Sequence, residues 1–343
     1  MAEDRVRIQG LADAEFWNTE AGPDYLARNA GKAASLGRLR LWAVGSITDQ
    51  LQCFAMARDE GGDATLEDYS GVALEQAYLR YSPPGGHRIV VQAGRVFLPY
   101  GNFSRRYLSS VNPLIGSPDL YKLSYPMAIQ VNGAAGRWDY MVAVVDQPLT
   151  RLDYNSSFKS TPRPALASGI TPITGLRLGA YFTRGPYLSR IPEQWLLPGK
   201  KLEDYHESVV GGDLQFSVGH FELNGEMTHT RLEVPEAGNA RGRVWYVEPK
   251  YTFTPRWYAA LRWEQGASPQ AIWLFGPFWR TGQESIRGLE AGAGFRIAPD
   301  LLLKGSYFAE RVVDPFGNES RGNGVALQLS YRFDVNSWFE HPR

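Results

Sequence analysis

Five histidines are the usual starting point for catalysis: His87, His206, His220, His229 and His341. A serine hydrolase needs a histidine in reach of its nucleophile and a third group to orient the ring. His229 is the best placed, on a segment of regular alternation, but it falls with the apolar set of that segment, near one end. The others lie in turns, loops and the tail, so no enzyme is expected. Cys53 is the only cysteine, which excludes an intrachain disulfide and a cysteine-cluster metal site. No metal-ligand spacing, phosphate-cradling glycine loop or nucleotide fingerprint occurs, and no cofactor is expected.

The ionisable residues that recur with order are arginines and carboxylates. Arg5, Arg7, Arg38, Arg40, Arg58 and Arg80 share one face of the first segments, and Arg332 occupies the equivalent face of the last. Further along, Asp213, Glu222, Glu226, Glu248, Glu264 and Glu290 hold that face, with Lys250, Arg262, Arg296 and Lys304 among them. Their chemistry is electrostatic. Charges on the walls of a low-dielectric cavity focus a field and sort solutes by sign. The early arginines are expected to form a basic wall, since only Asp13 and Glu15 lie near them in sequence. Local pairing into ladders is the competing reading for any one residue.

Such placement requires strands. Val6, Ile8, Ala12, Ala14 and Phe16 alternate with Arg5, Arg7, Gln9, Asp13 and Glu15. Successive strand side chains point to opposite faces, so one side is apolar and the other charged. Leu39, Leu41 and Ala43 against Arg38 and Arg40 repeat the pattern. So do Phe221, Leu223 and Met227 against Glu222, Asn224 and Glu226, and Val325, Leu327, Leu329, Tyr331 and Phe333 against Gln328, Ser330 and Arg332.

The connections sort by length. Turns rich in Pro, Gly, Asp and Ser fall at Gly45 to Gln50, Ser82 to His87, Gly133 to Arg137, Thr171 to Gly175, Ser217 to His220, Thr252 to Arg256 and Ala298 to Asp300. Long connections are expected at 18–35, 59–71, 97–125, 147–162, 185–205, 232–240, 266–284 and 312–322, strictly alternating with the turns. The layout predicts an all-β, transmembrane antiparallel barrel of about sixteen strands, with short periplasmic turns and long external loops. It is one domain, 1–333, followed by a tail, 334–343. The third long connection, 97–125, carries apolar Leu114 and Ile115 and should fold against something. Inside a wide barrel it would narrow the pore, with Arg105, Arg106 and Lys122 as constriction cations. Capping the outer mouth is the other reading.

Lysine plus arginine and aspartate plus glutamate balance at 36 each, which gives no reason to expect nucleic acid. No apolar stretch approaches the roughly 18 residues of a membrane helix, but a barrel strand needs only about 9–11, every second one apolar. Aromatic residues gather at strand ends, as in Phe16 and Trp17, Trp138 and Tyr140, and Trp257 and Trp263, where rings suit a membrane interface. Met1 is followed directly by Ala2, Glu3 and Asp4, without a basic start or apolar core. The expectation is a mature exported chain that has lost its signal peptide.

Leu74 to Gly101, LEQAYLRYSPPGGHRIVVQAGRVFLPYG, resembles a recurring segment of the Gram-negative outer-membrane porins, in which two strands and a tight turn lead into an inward-folded third loop. Leu327 to Phe333, LQLSYRF, is similar to the C-terminal strand that the barrel-assembly machinery recognises in that family, although ten residues follow it here. In overall layout the chain resembles the phosphate-selective porins, but no run of lysines or arginines matches a phosphate ladder. The resemblance implies an outer-membrane channel for passive diffusion of small hydrophilic solutes or ions, surrounded by outer-membrane lipid and assembled as a homotrimer. The inward arginines add an anion preference. The competing readings are a structural or conduit barrel that sheathes a periplasmic partner or exports a polymer, and a soluble all-β module.

Overall fold

The computed structural model describes residues 6–23, 26–65, 70–84, 88–97, 100–118, 125–149, 162–188 and 195–338. Among these, alternation of apolar and polar side chains yields sixteen strands. In chain order they are β1 (Val6–Thr19), β2 (Ala34–Ser46), β3 (Leu51–Gly61), β4 (Gly71–Tyr81), β5 (Val90–Arg95), β6 (Met127–Ala135), β7 (Trp138–Val145) and β8 (Arg163–Ile173). They continue as β9 (Leu176–Pro186), β10 (His206–Val218), β11 (Phe221–Val234), β12 (Gly238–Thr252), β13 (Trp257–Phe275), β14 (Phe278–Ala298), β15 (Leu301–Val313) and β16 (Glu319–Asp334). Each pairs antiparallel with its sequence neighbours, and β1 pairs with β16 to close the barrel.

Closure removes every sheet edge and leaves two surfaces. Leu39, Leu41, Val142, Val144, Leu327 and Leu329 are exposed on the outside. Asp13, Glu15, Arg40, Gln328 and Ser330 are buried on the inside. An inverted distribution of this kind, apolar out and ionic in, suits a hydrocarbon solvent rather than water. The barrel continues beyond β16, where the Val335 N–H donates to the Ile8 carbonyl at 3.0 Å and the Asn336 amide bonds β1 through Ile8 and Val6.

Three expected long connections are different in the structure. The segments 232–240, 266–284 and 312–322 are mostly strand, and the true turns are 235–237, 276–277 and 314–318. Their Pro, Gly and Ser content reads as loop, yet β13 and β14 stay paired from Trp257 and Phe295 to Phe275 and Phe278. β12 pairs β13 no further than Ala267. Pro269 therefore lies past the end of the β12–β13 ladder, where a residue without an N–H is tolerated.

Candidate functional site

The strands hold a ring of charged side chains around the interior, and residues 100–118 of the third long connection are fastened to it. Lys304 on β15 donates to three carbonyls of this segment, Ser109 at 2.9 Å, Asn112 at 3.1 Å and Leu114 at 3.0 Å. That uses all three protons of an ammonium group. Glu290 on β14 accepts the backbone N–H groups of Ile115 at 2.9 Å and Gly116 at 3.0 Å. Between them Arg262 on β13 donates to the Gly116 carbonyl at 2.9 Å and to the Asn112 side chain at 3.2 Å, while pairing with Glu248 at 2.6 Å and Glu290 at 3.0 Å. Arg262 and Lys304 are each only 1% exposed, so they hold the segment and do not meet solvent.

The start of the segment is anchored on the neighbouring wall. Asn102, fully buried, donates through its amide to the carbonyls of Leu214 at 2.8 Å and Gly225 at 3.0 Å, and its oxygen accepts from Tyr246. Glu226 accepts the Asn102 N–H at 3.1 Å and the Tyr181 hydroxyl at 2.8 Å. Gly101 lies at φ 65°, and a Cβ there would come within 1.9 Å of the Glu226 carboxylate, so only glycine permits this approach. Phe103–Arg105 form a single 3-10 turn. On the opposite wall, Ser109 donates to Asp13 and Tyr107 lies under Arg40, 5.6 Å from guanidinium carbon to ring centre. Burial, followed by Glu75, pushes the Tyr107 phenol up to about 12.

The residues expected to line the interior have varied settings. Arg38 pairs with Glu15 at 2.9 Å, Asp13 at 3.6 Å and Glu60, and Arg40 with Glu75 at 3.1 Å. Arg58 lies 3.6 Å from both Glu60 and Glu75. The unneutralised basic wall is thus corrected: these three arginines sit in a paired lattice. Glu75 is the residue the alternation misses. A bulge opposite Met56 and Ala57 sets Gln76 and Leu74 in register and leaves Glu75 extra, which turns it to the inside. Arg80 is half-buried and has no carboxylate partner among the described residues. Arg7 and Arg332 are exposed at the short-turn end, where Arg332 reaches Gln9 at 3.4 Å.

Arg106 pairs with Glu248. Burial opposes its charge, but Glu248 and then Tyr246 outweigh burial and hold the guanidinium above the ordinary arginine value. Arg105 is the open one, 49% exposed and 3.8 Å from Asp139. Burial, then the neighbouring Arg177, lowers it against the pull of Asp139 and Asp213. Glu222 pairs with Lys250 at 2.8 Å, and Glu264 is buried on the inner face. Arg5 and Lys122 lie outside the described residues. Sequence reasoning passed over Arg163, which pairs with Glu207 at 2.7 Å, and Arg177, which joins Asp139 and Asp213. Their alternation with apolar, outward Leu166 and Leu178 was the available signal.

A closed antiparallel barrel of sixteen strands, with its third long connection bonded to the inner wall, defines the class by architecture. The sequence matches no protein-family model and no curated protein. Among solved structures, it is similar to an anion-selective porin from Comamonas acidovorans, with a TM-score of 0.63 and 11% identity over 96% of this chain and 99% of that one. OmpF of Salmonella typhi in complex with daunomycin gives 0.63 and 12% over 96% and 97%. The trimer form of OmpT, an outer membrane protein of Vibrio cholerae, gives 0.61 and 11% over 96% and 99%. The chain has the fold of the outer-membrane porins.

Proposed function

We propose that the chain is an outer-membrane channel for passive diffusion of small hydrophilic solutes and ions, and that residues 100–118 narrow it. The observation that carries this reading is the seating of that segment across the interior, tied by Lys304, Arg262, Glu290 and Glu226. A segment so fixed counts against a conduit for a polymer or a sheathed protein. The apolar exterior fits outer-membrane lipid. No catalytic role is proposed.

The selectivity proposal is a weak anion preference. With the Arg38, Arg40 and Arg58 lattice neutralised, its carriers are the half-exposed Arg105 and Arg80, which has no carboxylate partner among the described residues. In planar bilayers under a salt gradient, the reversal potential is expected on the anion side, and Arg105→Gln is expected to move it toward cations. Clear cation selectivity of the unaltered chain rejects the anion preference. Assembly as a homotrimer is also proposed, as for the trimer form of OmpT. Unheated protein should then migrate on a gel as a species that collapses to the monomer on boiling, and a monomer before boiling contradicts it.

A further inference from the structure

The outward face changes character at the long-loop end of β11–β16. Along β12 the outward residues run Tyr251, Pro249, Val247 and Trp245, then Arg243 and Arg241. On β14 Leu289 gives way to Arg287, and on β15 Ala309 gives way to Arg311. Arginines stand directly opposite one another across strands: Arg231 and Arg241, Arg287 and Arg311, Arg311 and Arg321. His229 faces Arg243 in the same way.

Like charges in cross-strand register repel, so such a row asks for anions. The protein supplies only some. Glu319 pairs with Arg311 at 2.6 Å and also with Arg321, and Glu233 lies 3.9 Å from Arg231. Arg241, Arg243 and Arg287 are exposed and have no carboxylate partner among the described residues. The row reaches Arg184 on β9, in register through Ser208 with Arg231 and 3.6 Å from Glu233, and stops there: β6, β7 and β8 place Ile129, Val144 and Pro164 in mutual register on the outward face.

We propose that this arc binds the phosphate groups of phosphorylated lipids in the outer leaflet, with Arg241, Arg243 and Arg287 as the open guanidiniums. The inference rests on the membrane reading above, with the long-loop end outward. Guanidinium forks match phosphate oxygens two by two. Strands lie about 4.8 Å apart, so β11, β12, β14, β15 and β16 present an arginine row interrupted at β13, where Gln265 stands between Trp245 and Arg287. Immediately below, Trp245 and Trp263 lie on the outward face, at the level where amphipathic rings meet headgroups. Below them the surface is aliphatic and takes the acyl chains. A free anion needs no such adjoining apolar belt.

The test is native mass spectrometry of the delipidated full chain, titrated with diphosphorylated lipid A and with the same lipid stripped of both phosphates. The phosphorylated form is expected to bind at least about tenfold more tightly, from three surface arginines acting together. R241Q/R243Q/R287Q is expected to erase that difference, while R241K/R243K/R287K, which keeps the charge, preserves the preference. Equal binding of the two lipids overturns the proposal, as does a preference unchanged in the glutamine variant. Full displacement by excess inorganic phosphate also overturns it, by assigning a simple anion site. Bilayer conductance of the same samples separates the outcomes: lost lipid preference with normal conductance rejects the lipid site alone, and absent conductance rejects the channel.

Discussion

Replacing Arg262 by methionine is expected to destabilise the barrel by about 3–5 kcal/mol, the range for removing one partner of a buried ion pair. The side chain is 1% exposed and bridges Glu248, Glu290, Asn112 and the Gly116 carbonyl. Its removal leaves two buried carboxylates facing each other, relieved by Arg106, the Ile115 and Gly116 N–H groups and the nearby Lys304 charge. Urea unfolding of vesicle-inserted protein, followed by tryptophan fluorescence, measures the loss. The triple change Arg262→Met, Glu248→Gln, Glu290→Gln should recover part of it, because the charges then vanish together. Single-channel records of Arg262→Met should be noisier, since the tethered segment loses its central hold. A loss under about 1 kcal/mol, well short of that range, together with quiet records, contradicts the assigned role.

Leu41→Arg tests the outer surface. Leu41 is 40% exposed and midway along β2, opposite Gly10 and Ala57. An arginine on the lipid face near the bilayer centre costs about 2–4 kcal/mol, so folding yield into vesicles should fall sharply. The same variant should fold more readily in small micelles, where the guanidinium reaches water. Equal yields in vesicles and micelles would show that Leu41 does not meet the bilayer core.

The fold was legible because a closed sheet repeats one rule sixteen times. Val6 to Phe16 and Val325 to Phe333 already show both faces, and their pairing across the closure follows from the same parity. The ends of β11–β16 were not legible, because Pro269 and Gly276 carry loop composition into a paired hairpin whose stability comes from the partner strand. Glu75 was hidden by a bulge, which breaks parity without a composition signal. The charge balance of the interior was misjudged for a related reason. Arg38 meets Glu60 only through the β2–β3 register, and Glu75 is brought to Arg40 and Arg58 by β4, although Glu60 itself lies two residues from Arg58 on one strand. Sequence distance says little about neighbours across a ladder. Within 100–118, Leu114 is fully buried and its carbonyl accepts from Lys304.

The seam between β1 and β16, extended by Asn336, also dictates when the molecule can be finished. The first strand made has its final partner only when the last one arrives, so a growing chain carries two unsatisfied ladders of N–H and C=O groups through nearly its whole length. Such edges recruit other chains, and contacts of the greatest sequence separation form slowest. Zipping residues 319–336 onto the amino-terminal strand is therefore the committing step of biogenesis, and a chaperone that shields those two borders until then answers the main hazard of this topology.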